Sequence, residues 1–289
     1  MSNPEPAVLG LIAGGGRLPL DLARAARRDG WRVVAVALRG QTDRRIEAEV
    51  ERVTWLHPGE VRGVVEALRG AGARDAVLAG KLPKLPLVGD KAALKLDATA
   101  AQLLRQLPDL GDRSILGLIA GQLELQGIRL RGQAELVPEL LAREGALGRT
   151  AVTPAQAADI AFGWPIARSL ADLDVGQALA VVERAVLAVE AIEGTDAMIR
   201  RAGELGAGAC VVKVARSEQD PRFDLPVIGP ETAAALIEAK ASALAFEAGQ
   251  TLVLDREALV EAADAHGIAL LGVHPERLPG AAQAAGERR

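Results

Sequence analysis

The chain has 289 residues, 49% of them hydrophobic and 2% aromatic, with no tyrosine and a formal net charge of −4. That length suits one large or two ordinary domains around an aliphatic core, and the shortage of aromatic residues and the lack of a basic domain argue against nucleic-acid binding. A single cysteine, Cys210, excludes an internal disulfide and a cysteine zinc site; with no signal-like leader and no apolar run near the ~20 residues of a membrane span, a cytoplasmic protein is expected.

Val8 to Ala13 (VLGLIA) predicts a buried strand, followed by Gly14-Gly15-Gly16 and a helix over Leu18 to Arg28. Strands are expected at Arg32 to Leu38, Val53 to Leu56 and Asp75 to Ala79, with an amphipathic helix over Glu60 to Ala71. Strands alternating with helices predict a parallel, Rossmann-like α/β sheet. The loop Gly80 to Pro86 leaves the carboxyl end of the fourth strand, where open α/β sheets bind ligands. Helices over Ala92 to Leu107 and Ser114 to Leu125 and a short strand over Arg129 to Glu135 complete this half. Residues 143–153 lose apolar periodicity and read as a linker between domains 1–142 and 154–289.

The second half predicts a helix from Pro154 to about Ala161 and two strands, Gln177 to Glu183 and Ala185 to Ala191, joined tightly at Glu183-Arg184. The turn Glu193-Gly194-Thr195-Asp196 leads into a helix ending at Leu205, with Thr195 or Asp196 as candidate caps. A buried strand over Ala209 to Ala215 carries Lys213, and a polar loop runs from Arg216 to Arg222 before FDLPVIG at Phe223 to Gly229. Helices over Glu231 to Ala241 and Glu257 to His266 and strands at Thr251 to Leu254 and Ala269 to Val273 follow. This half is a second α/β domain with a mixed sheet, and the tail from Pro275 is expected to fray.

Three features could carry chemistry. Gly14, Gly15 and Gly16, between a strand and a helix, could bring backbone N–H groups to a phosphate, or form a tight turn with no ligand. The dinucleotide fingerprint is incomplete: Pro19 replaces its third glycine, and Val33 to Val36 hold no acid. NAD is disfavoured, and Arg39 leaves open a 2′-phosphorylated cofactor. The carboxylates Glu190, Glu193, Asp196 and Asp224 would suit a magnesium ion beside phosphate oxygens, or would serve as caps and as a salt bridge to Arg222. Lys213 needs a partner if buried, and a phosphate would serve; on an edge strand it would face solvent. The spacing of His57, His266 and His274 suits no His-Glu-x-x-His motif, and there is no Gly-x-Ser-x-Gly elbow.

LGLIAGGGRLP at Leu9 to Pro19, Asp174-Val175-Gly176-Gln177, VLAVEAIEGTDAMIRR at Val186 to Arg201, Lys213 and FDLPVIG together resemble the UDP-2,3-diacylglucosamine pyrophosphatases of the non-calcineurin type, which act in lipid A biosynthesis. The Gly-Asn-His-Asp metal motif of the calcineurin type does not occur, and the one Asp-x-His, Asp264-Ala265-His266, closes a predicted helix with no Gly-Asn-His-Asp to complete it. The resemblance implies an amino-terminal Rossmann-like domain, a carboxyl-terminal α/β domain and a substrate cleft between them. It implies Mg2+-dependent hydrolysis to UMP and 2,3-diacylglucosamine 1-phosphate, a homodimer, and transient contact with the inner membrane surface. The family's essential aspartate matches Asp224, expected to ligate magnesium or orient water. Asp196 and Glu193 are expected to support it, Asp196 as a second metal ligand. Gly14, Gly15, Gly16, Gly80, Gln177, Thr195 and Lys213 are expected to bind substrate. The rival expectations are a non-catalytic nucleotide- or lipid-binding regulator and an NADP-type oxidoreductase.

Overall fold

Alternation of apolar strands with one-sided helices organises both halves of the chain. The computed structural model describes residues 6–81, 94–220, 222 and 225–279. It divides into two units: the first runs to Pro138 and takes in Asp220 and Arg222, and the second holds Glu139 to Gln219 and the chain from Leu225 onward.

In the first unit, β1 (Val8–Ala13), α1 (Leu18–Arg28) and β2 (Arg32–Leu38) are followed by a one-turn α2 (Ile46–Glu49), β3 (Arg52–Leu56), α3 (Val61–Gly70) and β4 (Asp75–Ala79). Then come α4 (Ala98–Leu104), α5 (Asp112–Leu125), β5 (Arg129–Leu130) and a short α6 (Gln133–Leu136). The sheet is parallel in the order β3-β2-β1-β4-β5. Strand order therefore reverses between β1 and β4, the switch point at which open α/β sheets leave a crevice. Ile12, Val34, Val36 and Leu78 meet Leu68 of α3 and Leu123 of α5 in one core. Gly10 makes room there for Leu68, whose Cδ2 would lie 2.6 Å from a Cβ at that position.

Two expected elements of this unit are shorter than predicted. The helix expected from Ala92 to Leu107 is α4, and it begins where Asp97 accepts a capping bond from Ala100 N at 2.7 Å; Ala92 and Ala93 lie outside the described residues. The strand expected to reach Glu135 stops at Leu130. The chain turns there so that Gln133 Nε2 can donate to Leu78 O at 2.8 Å.

The second unit contains β6 (Gly145–Ala146), α7 (Pro154–Asp172), β7 (Ala178–Val182), β8 (Ala185–Val189), α8 (Thr195–Leu205), β9 (Cys210–Lys213) and β10 (Val227–Ile228). It closes with α9 (Pro230–Glu238), β11 (Ala243–Glu247), β12 (Leu252–Val253), α10 (Arg256–Ala265) and β13 (Ala269–Val273). Its sheet has the order β6-β13-β11-β9-β7-β8, with β9, β11 and β13 parallel and the outer pairings antiparallel. The strand period of two sorts side chains cleanly. Val211, Leu244, Phe246 and Leu270 pack with Met198, Ile199, Leu236 and Leu259 on one face. Cys210, Val212, Ala245 and Ala269 pack with Ile160, Trp164 and Ala167 of α7 on the other.

Three expectations fail in this unit. The helix from Pro154 runs to Asp172 instead of ending near Ala161. Its Gly163 lets the helix settle on the sheet, since a Cβ there would be 2.9 Å from Val181 Cγ2. Pro165 is tolerated within it, and its own carbonyl accepts from Ser169 Oγ at 2.9 Å. Residues 143–153 are not a free linker. Gly145 and Ala146 pair with β13, and the Asp264 carboxylate of α10 accepts from Arg149 N at 2.9 Å and Thr150 N at 3.1 Å. Finally β11, a central strand, lies in a stretch where no strand was expected.

The tight turn between β7 and β8 does form. Glu183 and Arg184 both have positive φ, 49° and 61°, as a two-residue hairpin turn of the favoured handedness requires. Asp159 of α7 accepts from both turn amides, at 3.1 and 2.7 Å.

Candidate functional site

Lys213 is the last residue of β9, at the carboxyl end of the parallel strands. β9 is flanked by β11 and β7, and Lys213 itself stands opposite Phe246 and Ala178. The edge-strand alternative for this lysine is therefore excluded. It is 7% exposed, and its Nζ donates to Thr195 Oγ1 at 2.7 Å. Thr195 Oγ1 donates in turn to Glu190 Oε1 at 2.8 Å. The other carboxylate oxygen of Glu190 accepts from Gln177 N at 3.0 Å.

Local chain geometry explains why four residues so far apart in sequence meet. Antiparallel β7 and β8 bring the ends of the hairpin together, with Glu190 N donating to Ala178 O at 2.9 Å. Gly176 allows the turn before β7 to press on the backbone of Glu190; any Cβ at 176 would collide with Glu190 O. Val214 N donates to Gln177 O at 2.9 Å, which ties the residue after Lys213 to the same turn. The residues Gln177, Glu190, Thr195 and Lys213, three of them expected to bind substrate, thus form one connected set. Gln177 takes part through its backbone.

The helix-cap expectation is corrected. Gly194, at φ 84°, is the N-cap of α8, and neither Thr195 nor Asp196 caps it. The Thr195 hydroxyl is instead engaged with Glu190 and Lys213. Glu193 clamps the turn. It accepts from Arg201 Nη2 at 2.6 Å and from Ala191 N at 3.1 Å. Burial pushes its carboxyl up, but the backbone amides and the Arg201 guanidinium outweigh that and hold it below the usual carboxylate range. Asp196 is half-buried in the first turn of α8. Asp224 lies outside the described residues. Nearby, Arg222 pairs with Asp220 at 2.8 Å and with Glu124 at 2.5 Å. Among the described residues no three His, Cys, Asp or Glu side chains converge as a metal site.

In the first unit the glycine loop meets the end of β4. Gly14 N donates to Ala79 O at 2.7 Å, Gly15 N to Lys81 O at 2.8 Å, and Lys81 N returns to Gly15 O at 2.9 Å. Two of the three loop amides expected to face a phosphate are therefore taken up by the neighbouring strand end. Close approach is the reason for the glycines. A Cβ on Gly14 would lie 2.5 Å from Lys81 O, and one on Gly80, whose φ is +88°, would collide with Gly15 O. Gly16, at φ +85°, has open space where a Cβ would be. Thr42 Oγ1 braces the end of β1 from behind, donating to Ala13 O at 2.5 Å. Gly14, Gly15, Gly16 and Gly80 thus come together at the switch point, where the ends of β1 and β4 meet. Leu82 to Pro86 of the expected loop lie outside the described residues.

Sequence reasoning missed Arg168 and Glu247. Glu247 Oε2, at the carboxyl end of β11, accepts from Arg168 Nη2 at 2.7 Å and Ala215 N at 2.8 Å. Arg168 Nη1 donates to Ala215 O at 2.8 Å. This buried pair fixes the chain two residues beyond Lys213. The available signal was a lone carboxylate in the apolar run LAFEAG.

The fold and these contacts define a two-unit α/β protein with a glycine-rich turn at the sheet's switch point in one unit and a nearly buried lysine at the strand ends of the other. The LpxI N-terminal domain family matches residues 8–140, and the LpxI C-terminal domain family matches residues 143–271. The chain is 35% identical over 283 residues to UDP-2,3-diacylglucosamine pyrophosphatase LpxI of Caulobacter vibrioides, covering 94% of this chain and 99% of that relative. It belongs to the LpxI family. Among solved structures, CobK precorrin-6A reductase matches 97% of this chain and 96% of its own at 12% identity and a TM-score of 0.35. A biotin carboxylase domain of a single-chain bacterial carboxylase matches 44% of this chain and 35% of its own at 18% identity and a TM-score of 0.23.

Proposed function

We propose that this protein hydrolyses the pyrophosphate bond of UDP-2,3-diacylglucosamine, releasing UMP and 2,3-diacylglucosamine 1-phosphate, as a step of lipid A biosynthesis. The observation that carries this reading is the 35% identity, end to end, to a relative named for that pyrophosphatase activity. The chemistry of the site agrees with it. Pyrophosphate cleavage needs fixed donors on the phosphate oxygens and an oriented water. Lys213 places an amine at the strand ends of the second unit, and in the first unit Gly16 has open space beside it at the switch point.

Magnesium is the proposed cofactor. It takes one or two carboxylates and completes its octahedron with phosphate oxygens and water. We assign the ligand role to Asp224 and Asp196. Bound there, the ion would neutralise charge developing on the phosphate oxygens. Asp224 is also the proposed group that orients the attacking water. Among the described residues no helix is long and apolar enough to cross a membrane. We propose a cytoplasmic homodimer that meets the inner membrane surface transiently to collect its lipid substrate.

The test is UMP release from UDP-2,3-diacylglucosamine by purified protein, with and without a chelator. Release that stops on chelation and returns with Mg2+ is expected. No release under any condition would refute the proposed activity, and release unaffected by the chelator would refute the metal.

A further inference from the structure

Proton bookkeeping along the Lys213 chain assigns roles that residue type alone does not. An ionised carboxylate only accepts, and a backbone amide only donates. Glu190 Oε2 is engaged by Gln177 N, and Oε1 faces the Thr195 hydroxyl at 2.8 Å. The single hydroxyl proton of Thr195 therefore points at Glu190. That leaves its oxygen lone pairs for Lys213 Nζ, 2.7 Å away. The direction runs one way throughout, from Lys213 to Thr195 to Glu190.

We infer that Thr195 does not donate to a phosphate but, with Glu190, acts as a positioning residue for Lys213, and that Lys213 is the group of this set that meets the substrate's phosphate oxygens. This rests on the pyrophosphatase reading. The lysine stem is flexible, with four rotatable bonds and three donors on its amine. Fixing one donor on Thr195 holds the nitrogen in place at the end of β9. Glu190 fixes the threonine rotor, and Gln177 N with the close packing at Gly176 fixes Glu190.

The test uses Thr195→Val, which keeps the shape and removes the hydroxyl, with Thr195→Ser as the rescue. Glu190→Gln is the second variant, because its amide offers one acceptor oxygen where the wild type has two. A hydrogen bond to a charged group has a net worth that corresponds to about tenfold or more in an equilibrium. In UMP release from UDP-2,3-diacylglucosamine, Thr195→Val should lower kcat/KM by about tenfold or more, and Thr195→Ser should stay within about threefold of wild type. Glu190→Gln should fall with Thr195→Val, and combining the two should add little, since both act through Lys213. Titration with inorganic pyrophosphate in the presence of Mg2+ reads the same set without turnover. Thr195→Val should bind about tenfold more weakly than Thr195→Ser. Equal kinetics and equal pyrophosphate affinity for the valine and serine variants would overturn the inference. A wild-type protein that binds pyrophosphate with the expected variant order but releases no UMP would leave the positioning role standing and sink the proposed reaction.

Discussion

Glu247→Ala should cost the second unit much of its stability. The Glu247 side chain is 6% exposed and that of its partner Arg168 is 19% exposed. Removing the carboxylate strips Arg168 Nη2 of its 2.7 Å partner and Ala215 N of its 2.8 Å acceptor at once. Breaking a buried ion pair from one side costs about 3–5 kcal/mol, chiefly because the remaining charge stays buried. An unsatisfied amide would add about 1–3 kcal/mol if independent. The two losses share one atom, so they do not add fully, and about 3–5 kcal/mol is the expected total. For a unit of this size that lowers Tm by roughly 10 °C. Glu247→Gln keeps one acceptor oxygen and should cost about half as much. Circular dichroism melts and urea titrations of the three proteins measure this directly. An alanine variant within about 1 kcal/mol of wild type would refute the claim that the pair holds the end of β9, since that is the range of an exposed ion pair.

Three other outcomes follow from particular contacts. Gly80→Ala must place a Cβ against Gly15 O at a left-handed φ; the conformation costs about 1–2 kcal/mol and the crowding about 1–3 kcal/mol, so the first unit should melt several degrees lower in differential scanning calorimetry. Asp264 is pushed up by burial, but the Thr150 and Arg149 amides, the Thr150 hydroxyl and the Arg149 guanidinium outweigh that and hold its carboxyl below the usual range. A depressed folded-state value gives stability that is present above the unfolded value and lost as pH falls through the folded one. Asp264→Asn should therefore lower Tm near pH 7, and the gap to wild type should close as the pH drops below about 4; a gap that persists in acid would contradict the assignment. Cys210 is fully buried, and burial pushes its thiol up to about 11. Thiolate is the reactive form, so maleimide labelling of the native protein at pH 7 should be slow and become fast in urea.

The first unit was largely legible because its elements announce themselves. VLGLIA, RVVAVAL and DAVLA are apolar runs bounded by turn residues, and β1, β2 and β4 match them residue for residue. The failures have physical causes. In α7, Gly163 and Pro165 look like a stop, but Gly163 is the point where the helix meets Val181, so tertiary packing overrides propensity. β11 reads ALAFE, and alanine has weak strand preference; its place between β9 and β13 is set by neighbours distant in sequence. Residues 143–153 lack periodicity because they are held by the β13 edge and the Asp264 carboxylate, partners that no local pattern reveals. In the site, Lys213 and Thr195 were visible as unusual residue types in apolar or turn contexts. Glu190 was visible only as a carboxylate, and its role depends on which donors face it. The glycine loop was recognised, yet the engagement of Gly14 and Gly15 with Ala79 and Lys81 is a long-range fact.

The most direct measurement of the account is product identity from one substrate preparation. Wild-type protein incubated with UDP-2,3-diacylglucosamine and Mg2+ should yield UMP and 2,3-diacylglucosamine 1-phosphate in equal amounts by mass spectrometry, and Asp224→Ala should yield neither. Release of UDP in place of UMP, which would place the cleavage at the sugar, or full activity in the Asp224 variant, would contradict it.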